Sequence, residues 1–419
     1  MKSKNLKLLI VLIVIIMGSS FFLIGAKGTE EKKPEEEAVE EEYTIPASHI
    51  VLGNYPVFDL APWVAAEEWG YLEDMNITLE HKVFPDERSG LQSLASGSSH
   101  LQLMGDLSLV GVAPTFTDFR AVFVPNVFQG FAPLIRPDGE LKTFEQMKKE
   151  ISDPKQALRA TCAQVKGKTW VAQLGASHET TVDATLEMAG LTRDDLNFID
   201  IGPAEGATAF LRGEGDIYLG DVPNRYRLEE EGMVPLVTAG DLGQKAAAYI
   251  TIVGNKQWLS EQDNEDALLR LNLVWFKALD ELKAGGPRAE EAFQGIADWV
   301  NKGAGTSFSA DAAEFIFWNI YIPQPSFDGM EKVFFTPGVP FNWSTRLQWG
   351  VGVREDQGQI EPGEVDPESI TVNEDLFKKL QVYKKQAEIG ISEGGPNAEL
   401  AEEFYDQGYY LDAARVLEQ

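Results

Sequence analysis

The chain has 419 residues, 44% of them hydrophobic and 24% charged, with 66 acidic against 36 basic side chains and a formal charge of −30. That length exceeds one average domain and suffices for a large core, while the excess of negative charge argues against binding nucleic acid or an anionic lipid surface. The single cysteine, Cys162, excludes an internal disulfide, a cysteine-based zinc site and a redox pair, and reads as a buried thiol.

Lys2, Lys4 and Lys7 precede a charge-free stretch, residues 8–26, rich in Ile, Leu and Val. As a helix it would extend about 28 Å, close to the thickness of a bilayer core. Residues 1–27 therefore read as a signal peptide or N-terminal membrane anchor. Gly25-Ala26 offers small residues for cleavage, but Ile24 stands where a second small residue is preferred, and no cysteine follows for lipid attachment. An uncleaved anchor is favoured, with the lysines in the cytoplasm and the body exported to the periplasm or cell surface. Residues 28–44 form an acidic linker whose charge prevents it from burying apolar surface; it reads as an extended tether.

The folded body starts near Ile45. His49-Ile50-Val51-Leu52-Gly53 reads as a strand, Asn54-Tyr55-Pro56-Val57-Phe58-Asp59 as the loop beyond it, and residues 60–69 as a helix. Residues 77–84 alternate as a strand, 88–96 form a short helix, and Leu101-Gln102-Leu103-Met104-Gly105-Asp106 is another strand. Residues 120–127 and 131–136 complete a first α/β lobe. Residues 142–164, polar and interrupted by Asp153-Pro154, read as a bridge.

The second lobe, residues 165–246, alternates strands and helices as stacked βαβ units. Thr169-Trp170-Val171-Ala172 leads through Gly175-Ala176-Ser177 into a helix at 178–190. Phe198-Ile199-Asp200-Ile201 leads into a helix at 205–212, and Ile217-Tyr218-Leu219-Gly220 ends at Asp221. Residues 247–253 return as a strand to the first lobe, assigned to 45–141 and 247–345. The helices at 265–283, 288–301 and 310–321 carry Trp275, Phe276, Trp299, Phe315 and Trp318 on apolar faces, read as core packing. Residues 335–358, with Pro337 and Pro340, read as loop. The extension 346–419 ends in a helical hairpin around Gly408 resembling half a tetratricopeptide repeat, expected to pack on the body because one such unit cannot bury its own face.

The two lobes carry matching segments. The first has Ala65-Ala66-Glu67-Glu68-Trp69-Gly70-Tyr71, then Leu94-Ala95-Ser96-Gly97 with His100 three residues on. The second opens with Val165-Lys166-Gly167-Lys168-Thr169-Trp170 and repeats the second element as Ala209-Phe210-Leu211-Arg212-Gly213-Glu214-Gly215-Asp216. In order and spacing this resembles the solute-binding proteins of ABC importers, in particular the nitrate, sulfonate, taurine and thiamine-precursor binding group, over about residues 50–321. His100 departs from the Asp usual in that group, the bridge is longer, and the chain beyond residue 321 has no counterpart. The resemblance implies an α/β type II periplasmic-binding-protein fold: two lobes, two crossovers and a ligand closed between them. It also implies an ABC permease and ATPase complex as partner, besides the small-molecule ligand.

In such lobes ligands sit beyond the carboxyl ends of strands, near helix N-termini. The candidate contacts are Asn54, Tyr55, Phe58 and Asp59 after the first strand, and Ser89 at a helix start. Gly105, Asp106 and Ser108 follow the third strand, while Ser177, His178, Thr180, Thr181 and Asp221 belong to the second lobe. Ser177 reads equally well as a helix cap, and the amides of residues 179–181 are expected to be available either way. The expected ligand is a small polar organic molecule or anion. If Asp59, Asp106, Glu179 and Asp221 face the cleft, a cationic or amine-bearing ligand is favoured. No catalytic residue, metal or cofactor is expected. The alternatives are an enzyme on the same fold, of thiamine-pyrimidine or menaquinone-pathway type, and a membrane-anchored ligand sensor with a partner-docking tail.

Overall fold

The computed structural model describes residues 43–321 and 325–419, so the expected anchor and most of the acidic linker lie outside the described residues. Among those described, no helix is long and apolar enough to cross a membrane. Among the described residues, ten strands form two five-stranded sheets. The first holds β1 (Ser48–Asn54), β2 (Ile77–Val83), β3 (Leu101–Gly105), β4 (Phe119–Phe128) and β10 (Ala248–Asn255) in the order β2-β1-β3-β10-β4. The second holds β5 (Leu134–Ile135), β6 (Thr169–Ala172), β7 (Asn197–Asp200), β8 (Ile217–Tyr218) and β9 (Val234–Pro235) in the order β7-β6-β8-β5-β9.

The two orders are the same pattern. In each, three parallel strands are followed by one antiparallel strand donated from across the molecule, β10 to the first sheet and β5 to the second. The chain therefore crosses between lobes twice, after β4 and after β9. Residues 131–136, expected to complete the first lobe, instead place β5 between β8 and β9 of the second. Two residues of strand are too short for their pattern to reveal which sheet they join.

The expected bridge at 142–164 is two helices of the second lobe, Phe144–Glu150 and Pro154–Ala163. Asp153-Pro154, read as an interruption, is the start of the second helix: Asp153 accepts from the amides of Lys155 and Gln156, and Pro154 occupies a position whose N–H would be unpaired anyway. Leu158 and Cys162 pack against Val237, with Phe144 and Met188 beside them. Burial pushes the Cys162 thiol up to about 12, so it is inert at neutral pH.

The first lobe is thickened by the helices Gln262–Ala284, Pro287–Ala304 and Ala310–Ile320. Trp63, Phe123 and Trp275 meet at its centre, the two indoles edge to face with centroids 5.0 Å apart. Trp63 Nε1 donates to the carbonyl of Leu271 at 2.9 Å, which satisfies its polar edge. Phe315, expected on an apolar face, is 59% exposed.

Residues 335–358, expected as loop, contain the helix Trp343–Asp356. Asn342 caps it by accepting from the Thr345 amide at 2.9 Å. Its buried face carries Trp343, Leu347 and Val351 together with Arg346 and Arg354. Two guanidiniums on the inner face hide the helical apolar pattern. Beyond it, the Ala121 amide donates to Ile370 and the Val372 amide to Ala121, seating the extension beside β4. The terminal helices Ala398–Asp406 and Tyr410–Leu417 fold on the helix Asn373–Glu393, with Ala387, Ala413 and Ala414 in contact. Arg270 and Asp412, at 3.0 Å and 3% and 0% exposed, pin this hairpin to the first lobe.

Candidate functional site

The strand ends of the two lobes surround a cavity of about 330 Å³. From the first lobe come Tyr55 and Asp59 after β1, the turn Phe84-Pro85-Asp86-Glu87 after β2, and Tyr321. From the second come the turn Gln173 to His178 after β6, and Asp221 after β8; Phe128 and Phe131 flank the crossover between them. The lobes are closed over this space. The Ser177 amide reaches Glu87 Oε1 at 3.4 Å, Arg88 pairs with Asp200 at 3.2 Å, and Arg225 donates to the Gly130 carbonyl at 2.7 Å. A side chain at Gly105 would collide with Ser177, so glycine is what allows this approach.

Five of the thirteen candidate residues line the cavity: Tyr55, Asp59, Ser177, His178 and Asp221. The others have different work. Asn54 is fully buried, its amide nitrogen 2.7 Å from His81 Nδ1, and Phe58 packs edge-on against Phe308. The Ser89 amide donates to Asp86 Oδ1 at 2.7 Å as part of a helix cap. Ser108 donates to Glu87 Oε2 at 2.6 Å, one step behind the cavity wall. Thr180 and Thr181 both donate to the Ala246 carbonyl, tying the second lobe to its return crossover.

Asp106 is a strut. It pairs with Arg346 and accepts from the Tyr249 amide at 3.1 Å, and it does not line the cavity. Glu179 lies between Arg193 and Arg354, also outside it. Burial opposes its ionisation, but the two guanidiniums outweigh that and hold its carboxyl below the usual range. Neither acid offers charge to a ligand. The amides of residues 179–181 are likewise occupied, each donating to a carbonyl three residues back.

The cavity residues missing from the sequence reading include Glu87, Phe84, Phe128, Phe131, Gln173 and Tyr321. Glu87 sits in the first turn of a helix, where an acid is ordinary dipole stabilisation. Tyr321 follows a long core helix, and nothing in its local pattern marks it out.

The electrostatics of the cleft are one-sided. Burial raises the Asp59 carboxyl to about 7, although Asn126 and Tyr321 donate to it. Burial raises Glu87 and Asp221 as well, against hydrogen bonds from Ser108 and Ser177 in one case and Asn224 in the other. His178 is fully enclosed, and burial lowers it below its ordinary value, so the ring is neutral near pH 7. It is hydrogen-bonded to the backbone of Gln173, and Nε2 is the ring atom left without a partner. The remaining nitrogen, Nδ1, is thus the donor, and Nε2 presents a lone pair.

No protein-family model matches this sequence, and no curated protein matches it. Solved structures do. The periplasmic aliphatic sulphonate binding protein SsuA from Escherichia coli is 17% identical, with 78% of this chain and 92% of that one covered and a TM-score of 0.54. The alkanesulfonate-binding protein SsuA from Xanthomonas axonopodis pv. citri, bound to MOPS, is 17% identical over 79% of this chain and 99% of that one, with a TM-score of 0.57. The periplasmic nitrate-binding protein NrtA from Synechocystis PCC 6803 is 13% identical over 80% and 88%, at 0.54. At these identities the likeness establishes the fold, the two-lobed periplasmic-binding-protein fold. The desulfurization enzyme DSZB shares it, at 13% identity over 80% of this chain and 99% of that one and a TM-score of 0.51, so fold alone does not separate binder from enzyme.

Proposed function

We propose that this chain is an extracytoplasmic solute-binding protein of an ABC importer, which captures a small molecule by closure of its two lobes and delivers it to a membrane permease and its ATPase. The observation that carries this reading is the cavity itself: between the two lobes, at the switch points of two matched sheets, and the size of a small-molecule site. The lysine-flanked apolar stretch at residues 8–26 suits a body held at the outer face of a membrane. The residues that line the cavity act as a recognition surface, and the solute leaves chemically unchanged.

The test is to purify the full-length protein from its own cells, unfold it, and identify what it releases. A binder yields one compound near stoichiometric amounts, which rebinds saturably and is recovered intact. A compound consumed on incubation with catalytic amounts of protein makes the chain an enzyme on this fold.

A further inference from the structure

The cleft is lined by carboxylates, and its side-chain donors are the neutral groups of Tyr55, Gln173, Ser177, Asn224 and Tyr321. Among the described residues that line it, none is Lys or Arg. Asp59 enters from the first lobe and Asp221 from the second, and His178, 3% exposed, belongs to the same wall with its Nε2 unpartnered and buried. Tyr321 senses both Asp59 and Asp221, so the two carboxylates border one space.

Two helix N-termini at the cavity are already occupied by carboxylates, while that of the helix Pro203–Leu211, whose first two residues also line the cavity, has no side-chain cap. Asp221 accepts from the Asn224 amide at 3.0 Å, and Asp86 caps the helix Glu87–Ala95. An anion placed beside these carboxylates would be stripped of water with no cationic side chain to pair with. A protonated amine gains where the anion loses: charge-assisted hydrogen bonds to one or both aspartates. The rings of Tyr55, Phe84 and Phe131 give the rest of the ligand an apolar, flat-sided wall.

We infer that the cleft selects a protonated primary or secondary amine carrying a flat apolar body, the opposite charge from a sulfonate or nitrate. This rests on the solute-binding reading above and specifies the ligand class of the same site.

Calorimetric titration of the full-length protein at pH 8 tests it, with 2-phenylethylammonium and benzyltrimethylammonium as cations and butanesulfonate and nitrate as anions. The primary amine is expected to bind saturably and more tightly than the quaternary one, which has no N–H to give; the anions are expected to produce no saturable heat. Asp59→Asn and Asp221→Asn are each expected to weaken the amine about 10- to 100-fold. Asn at position 221 remains a competent helix cap, so that variant keeps its fold. Saturable binding of butanesulfonate or nitrate, or amine affinity unchanged in both variants, overturns the cation assignment and leaves solute capture standing. No saturable heat from either cation also overturns it; recovery of a retained compound from native cells then decides separately whether solute capture holds.

Discussion

Arg354 Nη1 lies 3.0 Å from Glu179 Oε2, and each side chain is 1% exposed. The pair links the C-terminal extension to the start of a second-lobe helix, while Nε of the same guanidinium donates to the first-lobe carbonyl of Leu107 at 3.1 Å. About two turns earlier on its own helix, Trp343–Asp356, Arg346 reaches Asp106 of the first lobe and the Ala247 carbonyl at the return crossover. The extension is therefore a brace along the hinge side of the cleft.

Arg354→Ala leaves Glu179 with one guanidinium, Arg193, in place of two, and removes a buried charge-assisted hydrogen bond. It is expected to cost about 1–3 kcal/mol, read as a lower denaturant midpoint. The double variant Glu179→Gln/Arg354→Met should recover part of that loss, because Arg193 retains Asp183 and no charge stays buried on Glu179. The brace also limits opening, so the ligand-free radius of gyration of Arg354→Ala should exceed that of wild type in X-ray scattering; superimposable curves would show that it does not restrain the lobes.

Asp59 and Asp106 separate site from scaffold. Asp59 titrates near 7 when folded against 3.8 as its ordinary value, so folding favours its protonated form. Its contribution to stability is present at low pH and lost as pH rises through about 7. Asp59→Asn should accordingly raise the thermal midpoint at pH 8 while weakening the ligand. Asp106→Asn should lower the midpoint, since Arg346 is 6% exposed and would keep its charge without a counter-ion. The same direction in both variants would contradict the assignment.

Cation affinity should depend on pH with a definite sign. Glu87, Tyr321 and Asn126 surround Asp59, and Asp221 faces it through Tyr321. All three carboxyls are raised by burial, so acid neutralises them. Affinity for benzyltrimethylammonium, whose charge is permanent, should rise with pH by up to about tenfold per unit below 7 and level off above it. Titration calorimetry in buffers of different ionisation heat should show protons released on binding below pH 7, and a flat profile would count against Asp59 as the charge partner.

The terminal hairpin belongs to the body. Deleting residues 398–419 removes the Asp412 partner of Arg270 and uncovers the apolar face that Ala413 and Ala414 bury against Ala387. A loss of about 3–5 kcal/mol is expected, matched in part by Asp412→Asn. A truncated protein with wild-type denaturant midpoint would instead mark the hairpin as a docking module.

The sheets were legible because strands buried on both faces read as continuous apolar runs, as in β3 and the antiparallel β10. The brace was not, because Arg346 and Arg354 occupy positions that a helical apolar stripe would fill. Among the acids, sequence placed Asp59, Asp106, Glu179 and Asp221 alike near strand ends. Which face the cleft depends on arginines more than 150 residues away in the chain, at separations of 240 for Asp106 and 175 for Glu179. Glu87 escaped notice for the converse reason, since a first-turn acid has a sufficient local explanation.

The most direct test of this account is a crystal structure of the protein grown with 2-phenylethylammonium. The account predicts the ammonium nitrogen inside the cavity, about 2.7–3.1 Å from a carboxylate oxygen of Asp59 or Asp221, with the ring against Tyr55 or Phe131. A cavity that instead holds a sulfonate or nitrate from the medium, with the amine absent, would contradict it.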